Sequence, residues 1–355
     1  MNKPPDHADE VYQEHILQGV SRTFALTIPQ LPGGLRKVIS NAYLLCRIAD
    51  TVEDDSALTR EQTRRLSELF SEVVTGRVPA ETFSAELYPL LSDHTSAAEH
   101  DLIKNVPAVL RITHRFNANQ RHALERCIRI MAKGMADYQD IETLEGLKNL
   151  PAMDEYCYYV AGVVGEMLTE LFCDYSAEIS TRKNELLQLA VSFGQGLQMT
   201  NILKDIWEDR KRGACWLPRD IFLNAGFNLI DLQPGCRDER FHRGLGQLIA
   251  VARDHLRDAL NYTLIIPPHE TGIRRFCLWA LGMAVLTLNK LNNRRDFSNG
   301  TQVKISRRSV KITVLITSLF ARYDRVLRLL FDLTSRNLPV TAIREKLDNT
   351  SCSAI

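Results

Sequence analysis

The eight cysteines are scattered between Cys46 and Cys352, and no two of them form a CxxC pair. Several lie in apolar helical text, where cysteine acts as a small hydrophobe, so the chain is expected to be reduced and cytoplasmic. The nine histidines contain no HExxH or other metal spacing, which removes most support for a zinc hydrolase. There is no GxGxxG and no P-loop, so a dinucleotide would have to be held without a Rossmann motif. Strand-type alternation is nearly absent and no internal repeat is visible. No stretch approaches the ~20 apolar residues needed to span a bilayer. The longest uncharged runs, such as Phe276–Asn289, read as buried core helices. The first ten residues, MNKPPDHADE, lack the apolar region of a signal peptide, and the last nine, LDNTSCSAI, are polar. A net charge of +1 gives no reason to expect nucleic acid as a partner.

What remains is an ordinary soluble composition, 45% hydrophobic and 25% charged over 355 residues. The expected organisation is a disordered segment 1–10, one all-α catalytic domain over 11–337, and a polar tail 338–355. Within it, Val191–Gly213 reads as a helix that places Gln198, Asn201, Asp205, Glu208 and Asp209 on one stripe. The opposite side carries Phe193, Met199, Leu203, Ile206 and Trp207, so neither side looks fully solvated and the acids are expected to face a cavity. Carboxylates in a cavity must be protonated or met by cations. Oxygen-only ligands suit Mg2+, which commonly joins carboxylates to phosphates. A solvated face ending in Arg210, Lys211 and Arg212 is the competing reading.

A second acidic helix is expected over Leu35–Asp55. Tyr43, Arg47, Asp50 and Asp54 share one face, with Glu53 beside them and Asp55 pointing away into solvent. Val38, Ile39, Ala42, Leu45 and Ala49 supply packing elsewhere. One D-x-x-x-D helix is common by chance. Two of them, Asp50/Asp54 and Asp205/Asp209, each with a neighbouring Glu, are a more specific signal for a metal cluster that holds a diphosphate.

With these motifs the chain resembles the squalene and phytoene synthases, the head-to-head prenyl transferases. The resemblance runs through SRTFALTI from Ser21, YLLCRIADTVEDD from Tyr43, YCYYVAGVVG from Tyr156, LQMTNILKDIWED from Leu197 and RFCLWALGMA from Arg275. D-T-V-E-D and the basic VKISRR from Val303 look like the squalene synthase branch. The resemblance implies a class I isoprenoid synthase fold, a helical bundle around a central cavity. It implies two farnesyl diphosphates as substrates, joined through presqualene diphosphate to squalene with Mg2+ and NADPH. Asp50, Glu53, Asp54, Asn201, Asp205, Glu208 and Asp209 are the implied metal ligands. Ser21, Arg22, Phe24, Tyr43, Arg47, Gln198, Asn201 and Phe276 would contact substrate, and Tyr156 matches the catalytic tyrosine. Arg22, Arg47, Lys204, Lys304 and Arg307 (or Arg308) are the implied NADPH contacts. Lys204 stands where this branch has Arg, which removes bidentate phosphate binding. Ser306 stands where the pattern often has Arg. Eukaryotic members end in a membrane anchor and this chain does not, so a soluble bacterial-type monomer is expected, drawn peripherally to membranes by its product. The NADPH-independent sister activities (dehydrosqualene, presqualene diphosphate or phytoene synthase) stay open, as does a non-catalytic isoprenoid-binding protein.

Tyr156–Leu171 is a further expected helix. Gly162 and Gly165 inside it suggest a bend or close backbone approach, since glycine there costs ~1 kcal/mol against alanine. Glu166 in the same helix is expected to face outward. Residues 56–120 read as polar amphipathic helices without chemistry, and the closing segment to about Asn337 alternates Arg322, Arg325 and Arg328 with leucines.

Overall fold

The computed structural model describes residues 5–21, 23–139 and 143–341. Among them the secondary structure is helical, with a single isolated bridge between Leu147 and Pro218, so the expected all-α class is what the chain adopts. The helices of eight or more residues are α1 (Pro5–Val20), α2 (Gly33–Asp54), α3 (Arg60–Val74), α4 (Ala80–Leu87), α5 (Ala97–Lys104), α6 (Val106–Thr113) and α7 (Ala118–Gln139). They continue with α8 (Leu150–Cys157), α9 (Val163–Tyr175), α10 (Lys183–Lys211), α11 (Glu239–Ile265), α12 (Thr271–Asn293), α13 (Arg307–Phe320) and α14 (Asp324–Ser335).

Where one domain was expected, the described chain divides into two compact units. One is Met1–Ile141 with Val163–Leu187, and the other is Glu142–Gly162 with Gln188–Ile355. At the N-terminus α1 begins at Pro5, so residues 5–10 are helical rather than disordered. Near the other end Leu338 is buried, and the Thr341 hydroxyl donates to Asp254 (2.6 Å), so 338–341 pack onto the second unit instead of trailing away. Residues 342–355 lie outside the described residues.

Local chemistry explains where the site-bearing helices start. Pro32 takes the cap position before Gly33, and its fixed φ and missing N–H suit a helix start. From there Leu35, Val38, Ile39, Ala42, Leu45, Ile48, Ala49 and Val52 are all buried. Each fully buried Leu or Ile contributes roughly 1.5–3 kcal/mol, so this wide apolar face holds α2 in place and leaves Tyr43, Arg47, Asp50 and Asp54 on the remaining stripe. α3 and α5 both begin with reciprocal capping boxes, Thr59–Gln62 and Ser96–Glu99.

In the second unit, α8 starts where the Asn149 side chain accepts from the Ala152 N–H (3.0 Å) and Pro151 fills the first turn. It runs into a π-helical stretch, Tyr158–Gly162. Of the two glycines, Gly162 closes that stretch and Gly165 lies in α9. A β-carbon on Gly194 of α10 would lie 2.1 Å from the Ala161 carbonyl oxygen, so only glycine permits this backbone-to-backbone contact. Glu166, expected to face outward, instead accepts from the Arg126 guanidinium of α7 (2.9 Å).

Candidate active site

In the first unit α2 presents its polar stripe as expected. Tyr43, Arg47 and Asp50 are half-buried and Asp54 is exposed. The Tyr43 hydroxyl donates to the Val20 carbonyl (3.0 Å), and its ring lies 5.2 Å from that of Phe24. Ser21 is buried and its hydroxyl accepts from the Phe24 N–H (2.9 Å). Ser21, Phe24 and Tyr43 therefore form one group at the end of α1. Arg22 lies outside the described residues.

Arg47 sits 3.8 Å from Asp50, and its other guanidinium nitrogen bonds to Glu99 of α5. Burial pushes the Asp50 carboxyl up to about 7. Arg47 pulls it down, while Asp54 and Glu99 add to the rise. Glu99 was not anticipated. Its S-x-x-E spacing marks a helix cap in the sequence, but its pairing with Arg47 spans 52 residues and has no local signal.

Asp55 departs from expectation. It is buried, not solvated, and accepts from Ala57 N–H (2.9 Å), Ser92 N–H (2.9 Å) and the Thr95 hydroxyl (2.6 Å). Burial alone would raise this carboxyl, yet these bonds hold it below its ordinary value. It anchors the end of α2 to the segment preceding α5.

In the second unit α10 carries the other stripe. Met199, Leu203, Ile206 and Trp207 are buried and Phe193 is half-buried, as the pattern implied. The helix is not regular. Asp205 has φ −101° and ψ 15°, a kink centred on the motif's first acid. Lys204 is 2.8 Å from the Asp205 carboxylate. Burial raises the Asp205 carboxyl, Lys204 opposes the rise, and Glu208 adds to it.

Glu208 accepts from the Gly300 N–H (3.1 Å) through one oxygen, and its other oxygen is buried without a hydrogen bond. Gly300 packs against the acids so closely that a β-carbon there would stand 3.2 Å from Asp205 Oδ1 and 3.3 Å from Glu208 Oε2. The Trp207 indole N–H donates to the Phe297 carbonyl (2.8 Å), which fixes the same loop to α10. Asp209 is buried and paired with Arg212 (2.8 Å), so part of its charge is already met by the basic end of the helix. Gln198 is half-buried and Asn201 exposed.

Tyr156 is buried in α8, and its ring stacks on Trp216 at 4.1 Å with an interplanar angle of 7°. Two residues before it, Asp154 is raised to about 6 by burial, and one of its carboxylate oxygens is buried without a partner. Neither Trp216 nor Asp154 was singled out from the sequence. Phe276 is buried in α12. Lys304 follows the 3-10 turn Gly300–Val303, and Arg307 opens α13, so the basic segment continues into a helix. Lys304, Arg307 and Arg308 are exposed.

The donor set suits a hard divalent cation. Among the described residues no three acidic or imidazole groups converge into a finished cage. Mg2+ does not require one, because it takes one or two carboxylates and completes its shell with water and phosphate oxygens. In the first unit the raised Asp50 carboxyl, and in the second the raised Asp205 carboxyl and the unsatisfied Glu208 oxygen, are groups a cation would relieve.

The family model described as squalene/phytoene synthase matches residues 17–309. Squalene synthase 1 of Arabidopsis thaliana is 30% identical over 300 residues, which is 82% of this chain and 67% of that protein. Lycopaoctaene synthase of Botryococcus braunii is 30% identical over 311 residues, 86% of this chain and 65% of that one. Over the first four such relatives the chain spans only 62–67% of their length. Among solved structures, TcSQS in complex with a ligand superposes with a TM-score of 0.74 at 25% identity, covering 92% of this chain and 91% of that one.

Proposed function

The chain belongs to the squalene/phytoene synthase family, a family of prenyl transferases, and from that premise we propose that it joins two farnesyl diphosphates head to head through presqualene diphosphate to squalene. The observation that carries the reading is the paired acidic helices. Each bears carboxyls raised by burial, Asp50 on α2 and Asp205 on α10, with a cation beside each, Arg47 and Lys204. A protein that only shelters an apolar chain has no use for two such costly sets of acids.

When bound, Mg2+ supplies the charge that stabilises a departing diphosphate and NADPH supplies a hydride. Asp50, Glu53, Asp54, Asn201, Asp205, Glu208 and Asp209 are the proposed holders of the metal. Arg47 donates charge-assisted hydrogen bonds to phosphate oxygens, with Glu99 fixing its orientation. Ser21, Arg22, Phe24, Tyr43, Gln198 and Phe276 are the proposed contacts to substrate. Lys204, Lys304 and Arg307 offer positive charge to the phosphates of NADPH.

Tyr156 presents a ring whose quadrupole favours a nearby allyl cation, and Trp216, stacked on it, keeps that ring from rotating. The second substrate's double bond attacks the cation, and loss of a proton closes the cyclopropane of presqualene diphosphate. Apolar walls exclude water, which would otherwise quench the cation to an alcohol. Asp154 lies close to Tyr156 in sequence and, at a pKa of about 6, changes charge in the physiological range.

A second reading within the family has an observation in its favour: a relative of equal identity is named for lycopaoctaene rather than squalene. Product analysis decides between them. Purified protein is incubated with farnesyl diphosphate and Mg2+, with and without NADPH, and the extracted hydrocarbons are identified by mass spectrometry. Squalene formed only with NADPH is expected. Dehydrosqualene regardless of NADPH, or accumulation of presqualene diphosphate, assigns the sister activity. No product from farnesyl or geranylgeranyl diphosphate would overturn the catalytic reading.

A further inference from the structure

Helices α13 and α14 close the second unit in an unusual way. α13 has no buried residue. Ile312, Leu315 and Leu319 fall on one stripe of it and are 45%, 60% and 63% exposed. On α14, Leu329 and Leu333 are one turn apart and 57% and 53% exposed, and Tyr323 between the helices is 58% exposed. Scattered exposed leucines need no explanation, but five large apolar side chains on two consecutive helices, with Tyr323 between them, leave apolar stripes that water covers poorly.

α13 packs closely on α12 at one point, where a β-carbon on Gly282 would stand 2.5 Å from Thr313 Cγ2. Beside that contact an apolar cavity of about 260 Å3 opens between α13, α12 and α14, lined by Leu281, Val285, Ile312, Ile316, Leu330 and Phe331 among others. Leu315, Leu319, Leu329 and Leu333 take no part in that lining and are exposed.

The charge around the patch selects its partner. Residues 307–336 carry seven Lys and Arg and two Asp, in a chain whose net charge is only +1. All seven cations are exposed. Both acids are already engaged, Asp324 with the buried Arg274 (2.6 Å) and Asp332 with Arg257 (3.1 Å). Arg308 and Lys311 precede the α13 stripe, Arg322 follows it, and Arg325 and Arg336 bracket the leucines of α14. Long cationic side chains at the ends of an apolar stripe can reach a headgroup layer while the leucines enter the acyl boundary. A symmetric contact with a second copy would bring the seven cations of each hairpin against those of the other, which is unfavourable.

We propose that the α13–α14 hairpin is a docking face for an anionic lipid bilayer, with Ile312, Leu315, Leu319, Leu329 and Leu333 as the inserting side chains. Docking on a bilayer is independent of the reaction proposed above, and its test reads no activity. Full-length protein is sedimented with vesicles of phosphatidylcholine containing roughly one part in four phosphatidylglycerol, and with vesicles of phosphatidylcholine alone. Wild type is expected to pellet with the anionic vesicles and to bind the neutral ones about tenfold more weakly or worse, with the difference collapsing in high salt. The double variant L315S/L319S is expected to lose about tenfold in partitioning to anionic vesicles while its circular dichroism spectrum stays unchanged, because both positions are exposed. Failure of wild type to bind anionic vesicles overturns the proposal, as does undiminished binding by the variant. A concentration-dependent dimer that L315S/L319S dissolves would assign the face to a second copy and overturn it equally.

Discussion

Gly300→Ala tests whether the loop preceding the basic segment positions the second acidic motif. The added methyl would stand 3.2 Å from Asp205 Oδ1, 3.2 Å from the Lys204 carbonyl oxygen and 3.3 Å from Glu208 Oε2. Each distance is a few tenths of an ångström inside ordinary contact, and one neighbour is backbone that cannot swing away. The carboxylates must therefore shift or the loop must lift, which lengthens the Glu208–Gly300 bond. Overpacking by one methyl costs on the order of 1 kcal/mol, which moves the melting temperature of a chain this size by about 2 °C or less. Mg2+ demands oxygen ligands within a narrow range of distance, so displaced carboxylates weaken its hold disproportionately. The expected result is about a tenfold rise in the Mg2+ concentration giving half-maximal turnover, equivalent to ~1.4 kcal/mol, with near-normal stability. Mg2+ titration of turnover, alongside a thermal melt, reads both quantities. A Gly300→Ala enzyme with wild-type Mg2+ dependence would show that the loop does not set the carboxylates, and would remove Glu208 from the ligand set.

Two further outcomes are expected. In metal-free protein Asp50 has a folded pKa of about 7 against an ordinary 3.8, so the folded state binds more protons than the unfolded one between these values. Its contribution to stability is complete below the lower value and is lost as pH rises through the upper one. The melting temperature of wild type should fall across that window, while Asp50→Asn flattens the fall and abolishes turnover; an unchanged profile in the variant would show that another group carries the titration. Arg274 is fully buried and donates to the Ile266, Ala321 and Leu264 carbonyls as well as pairing with Asp324. Arg274→Met should cost about 3–5 kcal/mol by leaving those carbonyls unpaired, measured by denaturant unfolding, and a loss under about 1 kcal/mol would mean that water replaces the guanidinium.

The sequence by itself determined which residues share a helical face. The 3.6-residue period placed Tyr43, Arg47, Asp50 and Asp54 on one stripe of α2, opposite the apolar positions that the structure buries. The same period separated the acids of α10 from Met199, Leu203, Ile206 and Trp207. The same local period kept Val38, Ile39, Ala42, Leu45 and Ala49 together on the packing side of α2. These features depend on neighbours within about four residues, which is why they are legible.

Only the tertiary structure decided what covers each polar group. Asp55 is one residue past the acidic stripe, and periodicity sends it outward; Ser92 and Thr95, from a distant segment, enclose it and satisfy it. Glu99 reaches Arg47 only because α5 packs beside α2. The kink at Asp205, the contact of Gly300 with two carboxylates, and the Trp216 ring on Tyr156 arise where separate segments meet. Helical register is a local property of the backbone, whereas burial and electrostatic environment depend on which other surface arrives. That arrival is set by packing summed over the whole unit, so no short motif records it.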